Sequence, residues 1–249
     1  MWSFRIDKLM RQSIKGIYLK HFPYSETSVV LKVFTQEYGL QSFIAKGIKK
    51  KKGASAVLQP FHLLEIDCSY NPNKSLNYAG LIKLQKPPVS ITMDVRKSMV
   101  AIFLTEILYK CIKEEEANPE LYRYTSTAIS IFDESEFNVN FHLVFLMRLS
   151  RYFGFQPSAP EKPAQKYFSL KEGVFEFPKD IFDYHLSVEL SELFRQLIGT
   201  KFDGISKLHY TNFERKELLG AMVNYYEMQL GMKKDIITSH KILETIFED

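Results

Sequence analysis

The run Thr27-Ser28-Val29-Val30-Leu31-Lys32-Val33-Phe34-Thr35-Gln36-Glu37-Tyr38-Gly39-Leu40-Gln41-Ser42-Phe43-Ile44-Ala45-Lys46 places a segment rich in Val and Leu on one side of a Gly-ended break and a second apolar segment on the other. Short runs rich in β-branched and aromatic residues mark strands, and a short break between two such runs marks a hairpin. The stretch therefore predicts strands over Thr27–Phe34 and Leu40–Lys46, joined by Gln36-Glu37-Tyr38-Gly39. Upstream, Ser13–Lys20 reads as another strand. Downstream, Leu58–Ser69 is long enough to curve around a small barrel, and the turn Tyr70-Asn71-Pro72-Asn73-Lys74 leads into Leu76–Leu84. Five strands in about 75 residues leave no room for helical crossovers, which excludes βαβ units. A compact, partly open barrel such as an OB-fold fits instead.

At Lys86-Pro87-Pro88 the character changes, since two adjacent prolines cannot join a ladder. Apolar residues then recur at helical spacing over Thr92–Lys113, Glu120–Phe132 (opened by Pro119), Phe141–Phe153 (stopped by Gly154), Val188–Ile198, Asn212–Leu230 and Thr238–Glu248. Asn212 and Thr238 read as N-caps of the last two helices. Within this half, Tyr167–Leu170 and Val174–Phe177 form a short hairpin around Lys171-Glu172-Gly173. The expected fold class is α+β in two domains. An OB-fold barrel occupies residues 1–86, with 1–9 as an N-terminal extension. A helical domain follows over 87–249, with a β insertion near 165–178.

The two halves differ in charge. Residues 1–83 carry 13 Lys and Arg against 5 Asp and Glu, whereas the whole chain carries 33 against 29, so the rear half is net acidic. Much of the excess sits in Ala45-Lys46-Gly47-Ile48-Lys49-Lys50-Lys51-Lys52-Gly53, five ammonium groups within seven residues. Such a run is tolerated in a solvated loop and becomes useful beside a phosphate backbone. The basic front points to a nucleic-acid-facing module, and an acidic protein surface is the alternative partner.

Catalytic chemistry finds little support. No phosphate-binding glycine loop, dinucleotide fingerprint or nucleophile elbow occurs. Glu114-Glu115-Glu116 reads as solvated charge at a helix end. His21, His62, His142, His185, His209 and His240 are scattered without metal-ligand spacing, and Cys68 and Cys111 read as buried, inert thiols. The start of the chain lacks the apolar core of a secretory signal, and no apolar run approaches bilayer length, so a cytosolic protein is expected.

Several segments together resemble the RecO family of bacterial recombination mediators. They are Tyr24-Ser25-Glu26-Thr27-Ser28, Phe34-Thr35-Gln36-Glu37-Tyr38-Gly39, Ala45-Lys46-Gly47 with its basic run, and Leu58-Gln59-Pro60-Phe61. Phe153-Gly154-Phe155-Gln156-Pro157 and the closing Ser239-His240-Lys241-Ile242-Leu243 extend the resemblance over nearly the whole chain. It implies an OB-fold followed by a helical domain. It also implies DNA binding, strand annealing and, with RecR, help in loading RecA onto strands coated by the single-stranded-DNA-binding protein, in a nucleoid-associated cytoplasmic protein. Two departures stand out. Many members carry cysteine pairs that hold zinc after the Gly-Phe-x-Pro motif, whereas Ser158–Pro178 contains no cysteine. The family pattern also starts near Met10, so Met1–Leu9 is an alternative start or a local addition.

The resulting expectation is a non-enzymatic mediator that binds single- and double-stranded DNA. Lys46, Lys49, Lys50, Lys51 and Lys52 would neutralise phosphates, with Lys15, Lys20 and Lys32 as further basic groups. Phe22 and Tyr24, flanking Pro23, are candidate base-stacking platforms together with Tyr38, while mid-strand Phe43 reads as core. Arg148 and Arg151, three apart on one helix, are candidates for gripping the acidic C-terminal tail of the single-stranded-DNA-binding protein, with Leu149, Tyr152 and Phe153 as slot walls. The hairpin would stand without metal, on Tyr167, Phe168, Val174, Phe175 and Phe177. The competing readings are a scaffold whose basic loop meets an acidic protein, and a hydrolase using scattered carboxylates.

Overall fold

A computed structural model describes residues 10–50, 53–113, 116–177 and 184–244. Five strands come first: β1 Met10–Pro23, β2 Val29–Thr35, β3 Gly39–Ala45, β4 Leu63–Tyr70 and β5 Asn77–Leu84. The remainder is α1 Val95–Cys111, α2 Pro119–Glu134, α3 Phe141–Leu149, β6 Tyr167–Ser169, β7 Val174–Glu176, α4 Val188–Leu197, α5 Asn212–Gln229 and α6 His240–Glu244. These elements pack as two compact units. One comprises the described residues up to Met93 with Leu108–Ser130, and the other Asp94–Ile107 with the described residues from Ile131 on.

In the first unit the strands close into a barrel in the order β1-β2-β3-β5-β4. β1 serves two neighbours: Met10–Ile17 pairs with β4 and Gly16–Pro23 with β2. The crossing point falls at Gly16. A Cβ there would lie 2.2 Å from Val33 Cγ1, so only glycine lets the two strands approach. β2 and β3 form the expected hairpin, with Gly39 at φ +64°, a left-handed conformation that favours glycine at the end of such turns. Thr35 Oγ1 fixes this turn by donating to the Gly39 carbonyl at 2.9 Å and accepting from Tyr38 N at 3.0 Å. A parallel pairing of Phe43, Ile44 and Ala45 with Asn77, Tyr78 and Ala79 closes the barrel. This is the OB-type architecture expected from five closely spaced strands.

Val29, Leu31, Val33, Phe43, Leu64 and Ile66 fill the interior. The outer face of β2 is covered as well. Phe34 packs on Tyr122 of α2 at 5.8 Å, and Gln85 Nε2 donates to the Tyr122 hydroxyl at 3.4 Å. These contacts bring 108–130 into the barrel's unit, a grouping that the proline pair at 87–88 does not announce. One strand is shorter than its sequence suggests. Leu58–His62 lies outside β4, because Phe61 adopts φ +63° and His62 N turns back to the Gln59 carbonyl at 3.1 Å.

The second unit is helical with a small sheet. Pro119 opens α2, which belongs to the barrel's unit as far as Ser130 and to the second unit from Ile131. The helix expected over Phe141–Phe153 is α-helical to Leu149 and then tightens into a 3₁₀ turn, Ser150–Phe153, ending on Gly154 at φ +82°. Thr211 rather than Asn212 caps α5: its hydroxyl accepts from Glu214 N at 3.2 Å while Glu214 reaches back to Thr211 N at 2.7 Å. Thr238 and Ser239 give their amides to Glu106 at 3.2 and 2.8 Å, and α6 begins only at His240. The rest of the helix expected to Glu248 lies outside the described residues, as do Met1–Leu9.

β6 and β7 form the expected hairpin, extended by a bridge from Ser169 to His185. Fully buried Phe168 anchors it, with its ring 4.3 Å from Phe194, 5.2 Å from Phe175 and 5.6 Å from Tyr225. Val174 and Phe177 are exposed, so they do not hold the hairpin as expected; the pleat turns alternate side chains outward. The residues present do not fit zinc. Ser158–Phe177 holds no cysteine, and among the described residues no three His, Cys, Asp or Glu converge. Among the described residues, no helix is long and apolar enough to cross a membrane.

Candidate nucleic-acid interface

The basic loop begins where β3 ends. Lys46 projects into solvent, Gly47 turns at φ +67°, and Ile48 buries itself in the barrel core. Lys49 and Lys50 are exposed beyond it, so one apolar side chain anchors a loop whose cations face outward. Lys51 and Lys52 lie outside the described residues.

Two neighbouring loops hold the start of this run. On one side is the β1–β2 loop, a turn in which Tyr24 N and Ser25 N both reach the Ser28 carbonyl, at 3.0 and 3.2 Å. Buried Ser28 accepts from Gly47 N at 3.3 Å, Lys49 N donates to the Thr27 carbonyl at 3.2 Å, and Lys49 Nζ to the Ser25 carbonyl at 3.4 Å. On the other side is the end of the β4–β5 loop. Buried Asn77 shapes that loop: its Oδ1 accepts from Asn71 N at 2.9 Å and its Nδ2 reaches the Asn71 and Lys74 carbonyls. The next residue, Tyr78, carries the Lys46 ammonium 4.5 Å above its ring. The basic loop thus spans the two loops with which OB-folds commonly hold oligonucleotides.

An exposed aromatic stands at each end, Tyr24 at 58% exposure and Tyr78 at 53%. Phe22, at 37%, is less open than its place beside Pro23 suggested, because it packs on Tyr109 at 6.4 Å with Lys20 Nζ 5.2 and 5.1 Å from the two rings. Tyr38 is not a surface platform: it stacks on Tyr70 at 4.1 Å and its hydroxyl reaches Gln12. Phe43 is fully buried, as read from its place mid-strand. Lys32 is engaged by Ser42 Oγ at 2.6 Å, and Lys15 is exposed. Tyr78 was missed. Its signal was only an aromatic at the head of a strand, and its link to Lys46 comes through a parallel pairing that no local pattern reveals.

The electrostatics suit an anion. Among the described residues no carboxylate forms an ion pair with Lys46, Lys49 or Lys50; a barrel pair elsewhere joins Lys83 to Glu65 at 3.2 Å. His21 has its pKa lowered, first by burial and then by the Lys49 ammonium, so it stays neutral in a region already positive. Cys68 is pushed up to about 11 by burial and by Asp67, which leaves a protonated, unreactive thiol.

In the helical unit Arg148 is half-buried near the end of α3 and Arg151 is exposed on the following 3₁₀ turn. Among the described residues neither forms an ion pair, so surface carboxylates do not occupy them. Leu149 cannot wall an open slot, being fully buried; Tyr152 and Phe153 are half-buried.

The family described as Recombination protein O N terminal matches residues 10–85, and Recombination protein O C terminal matches residues 93–235. A protein of Flavobacterium johnsoniae named DNA repair protein RecO is 33% identical over 246 residues, covering 96% of this chain and all of that protein. Proteins of the same name from Flavobacterium psychrophilum and Bacteroides fragilis are 33% and 31% identical, again over 96% of this chain and all of each relative. With both of its units matched and relatives aligned from end to end, the chain belongs to the RecO (recombination protein O) family.

Proposed function

We propose that this chain is a DNA-repair and recombination mediator. It binds single- and double-stranded DNA, anneals complementary strands and, with RecR, helps load RecA onto strands coated by the single-stranded-DNA-binding protein. It would work in the cytoplasm at the nucleoid. The observation that carries this reading is the anchored basic loop, spanning the β1–β2 and β4–β5 loops with exposed aromatics at both ends. Lys46, Lys49, Lys50, Lys51 and Lys52 neutralise phosphates, and Tyr24 with Phe22 offers ring faces to unpaired bases.

Annealing needs no nucleophile and no catalytic residue. Two polyanions must approach, and the cations that let them do so must hold duplex weakly enough to release it. Domain 1–86 serves this task, and domain 87–249 docks partners: Arg148 and Arg151 take the carboxylates of the acidic tail of the single-stranded-DNA-binding protein. Titration of the whole protein with a random-sequence oligonucleotide at several salt concentrations tests the reading. Affinity should fall linearly in log–log form with added salt, and annealing of complementary strands should accelerate. A protein that ignores DNA but captures an acidic peptide would establish the scaffold instead.

A further inference from the structure

Beside Tyr78 the barrel surface opens. The β4–β5 ladder slips between Ile66 and Cys68, where pairing jumps from Ile66↔Ile82 to Cys68↔Ala79. The slip leaves a cavity of about 600 Å³, with Tyr78 on one wall and Gln12, Asp67 and Ser69 among its other lining residues. That volume lies in the range of small-molecule clefts. Asp67, an exposed carboxylate, makes the cavity a poor seat for phosphate but a good acceptor for the N–H groups of unpaired bases, thymine N3–H included. The nearby cation is Lys46, outside the cavity and over the ring. Anion outside and base inside is the polarity that a nucleotide requires.

We infer that Tyr78 is a stacking platform for one nucleobase of a single strand, with Lys46 sliding off the ring to take the flanking phosphate. This deepens the DNA-binding reading and rests on it. In the free protein the ammonium covers the π face, a contact worth little at an exposed site, so a base displaces it easily. The displaced lysine stays tethered to the end of β3, within reach of the backbone next to the stacked base. A duplex hides its base faces, so Tyr78 adds affinity only for unpaired DNA. The site thereby grips separated strands and lets go of the annealed product.

The test compares wild type, Tyr78→Ala and Tyr78→Phe on three probes of equal length: an oligothymidylate, an abasic deoxyribose-phosphate oligomer and a duplex. Tyr78→Ala should bind oligothymidylate about tenfold more weakly, from the usual worth of one stacked base, and bind the other two probes like wild type. Tyr78→Phe should keep wild-type affinity, because the ring and not the hydroxyl is used. The salt dependence on oligothymidylate should be the same for all three proteins. Wild-type affinity of Tyr78→Ala for oligothymidylate overturns the inference. So does an equal loss on all three probes, which would make Tyr78 a support for the loop, and so does a Tyr78→Phe as weak as Tyr78→Ala. A wild type that binds none of the probes overturns the DNA-binding reading itself.

Discussion

Lys49 Nζ donates to the carbonyl oxygen of Ser25 at 3.4 Å, across 24 residues of chain, and so ties the basic loop to the turn that carries Tyr24. The bond fixes where the first cations stand without neutralising them, since a carbonyl carries no net charge. Changing Lys49, Lys50, Lys51 and Lys52 together to Ala should weaken single-strand binding and leave the fold intact, because exposed lysines contribute little to stability. If all four meet phosphates, the log–log salt slope should shrink by up to about 3, at roughly 0.7 per phosphate on a single strand. An unchanged slope would move the DNA path off this loop.

Gly16 tests the barrel that presents the loop. A methyl group there meets Val33 Cγ1 at 2.2 Å and the Phe34 carbonyl at 3.2 Å, and neither strand can retreat without breaking its ladder. Gly16→Ala should destabilise the protein by about 1–3 kcal/mol in urea unfolding, the usual cost of overpacking. Adding Val33→Ala should recover part of that loss by vacating the space. Equal stability of wild type and Gly16→Ala would mean that the strands cross less tightly.

How far the sequence could be read depends on how local each determinant is. The β2–β3 hairpin was legible because two β-branched and aromatic runs and a glycine at the turn are set within twenty residues. The cationic loop was legible because four lysines in succession need no partner to be noticed. Leu58–His62 misled because a left-handed Phe61 buries the same apolar residues that a strand would. Tyr78 was illegible because its lysine lies 32 residues earlier, and their meeting depends on barrel closure. The place of 108–130 beside the barrel was illegible for a related reason: Phe34 and Tyr122 read separately as ordinary core residues.

His142 makes stability depend on pH. Burial, followed by the Arg215 charge, lowers its pKa from 6.5 to about 3. The unfolded chain therefore binds a proton near pH 6.5 that the folded protein refuses until about pH 3. The stabilisation is full above pH 6.5 and is lost as the pH falls toward 3, at about 1.4 kcal/mol per unit inside that window. His142→Leu, which keeps an apolar side chain against Phe103, should flatten the stability profile between those values relative to wild type. Parallel profiles for the two proteins would show that His142 titrates normally in the fold.

The hairpin offers a prediction about metal. Phe168 stacks on Phe194 at 4.3 Å and meets Tyr225 at 5.6 Å, so aromatic packing holds β6 and β7. Purified protein should carry well under one zinc per chain, and a chelator should leave its melting temperature unchanged. Phe168→Ala, by contrast, should cost about 3–5 kcal/mol, as truncation of a fully buried phenylalanine does. One tightly held zinc per chain would overturn this account.

Arg148 and Arg151 straddle the point where α3 tightens into a 3₁₀ turn, which brings residues three apart closer to one line. With no ion pair to either guanidinium among the described residues, both can meet carboxylates, and half-buried Tyr152 and Phe153 supply apolar surface beside them. An acidic tail ending in an aromatic residue needs both elements at once, a fork of donors for its carboxylates and a wall for its ring. Arg148→Ala with Arg151→Ala should therefore weaken binding of such a peptide more than tenfold, since hydrogen bonds to charged groups contribute about 1.5–3 kcal/mol each. Naked-DNA affinity should hold, because the proposed phosphate contacts lie on the basic loop of the barrel unit. Equal loss of both activities would mean a damaged fold, which thermal melting would reveal, and full peptide binding would place the pocket on another helix.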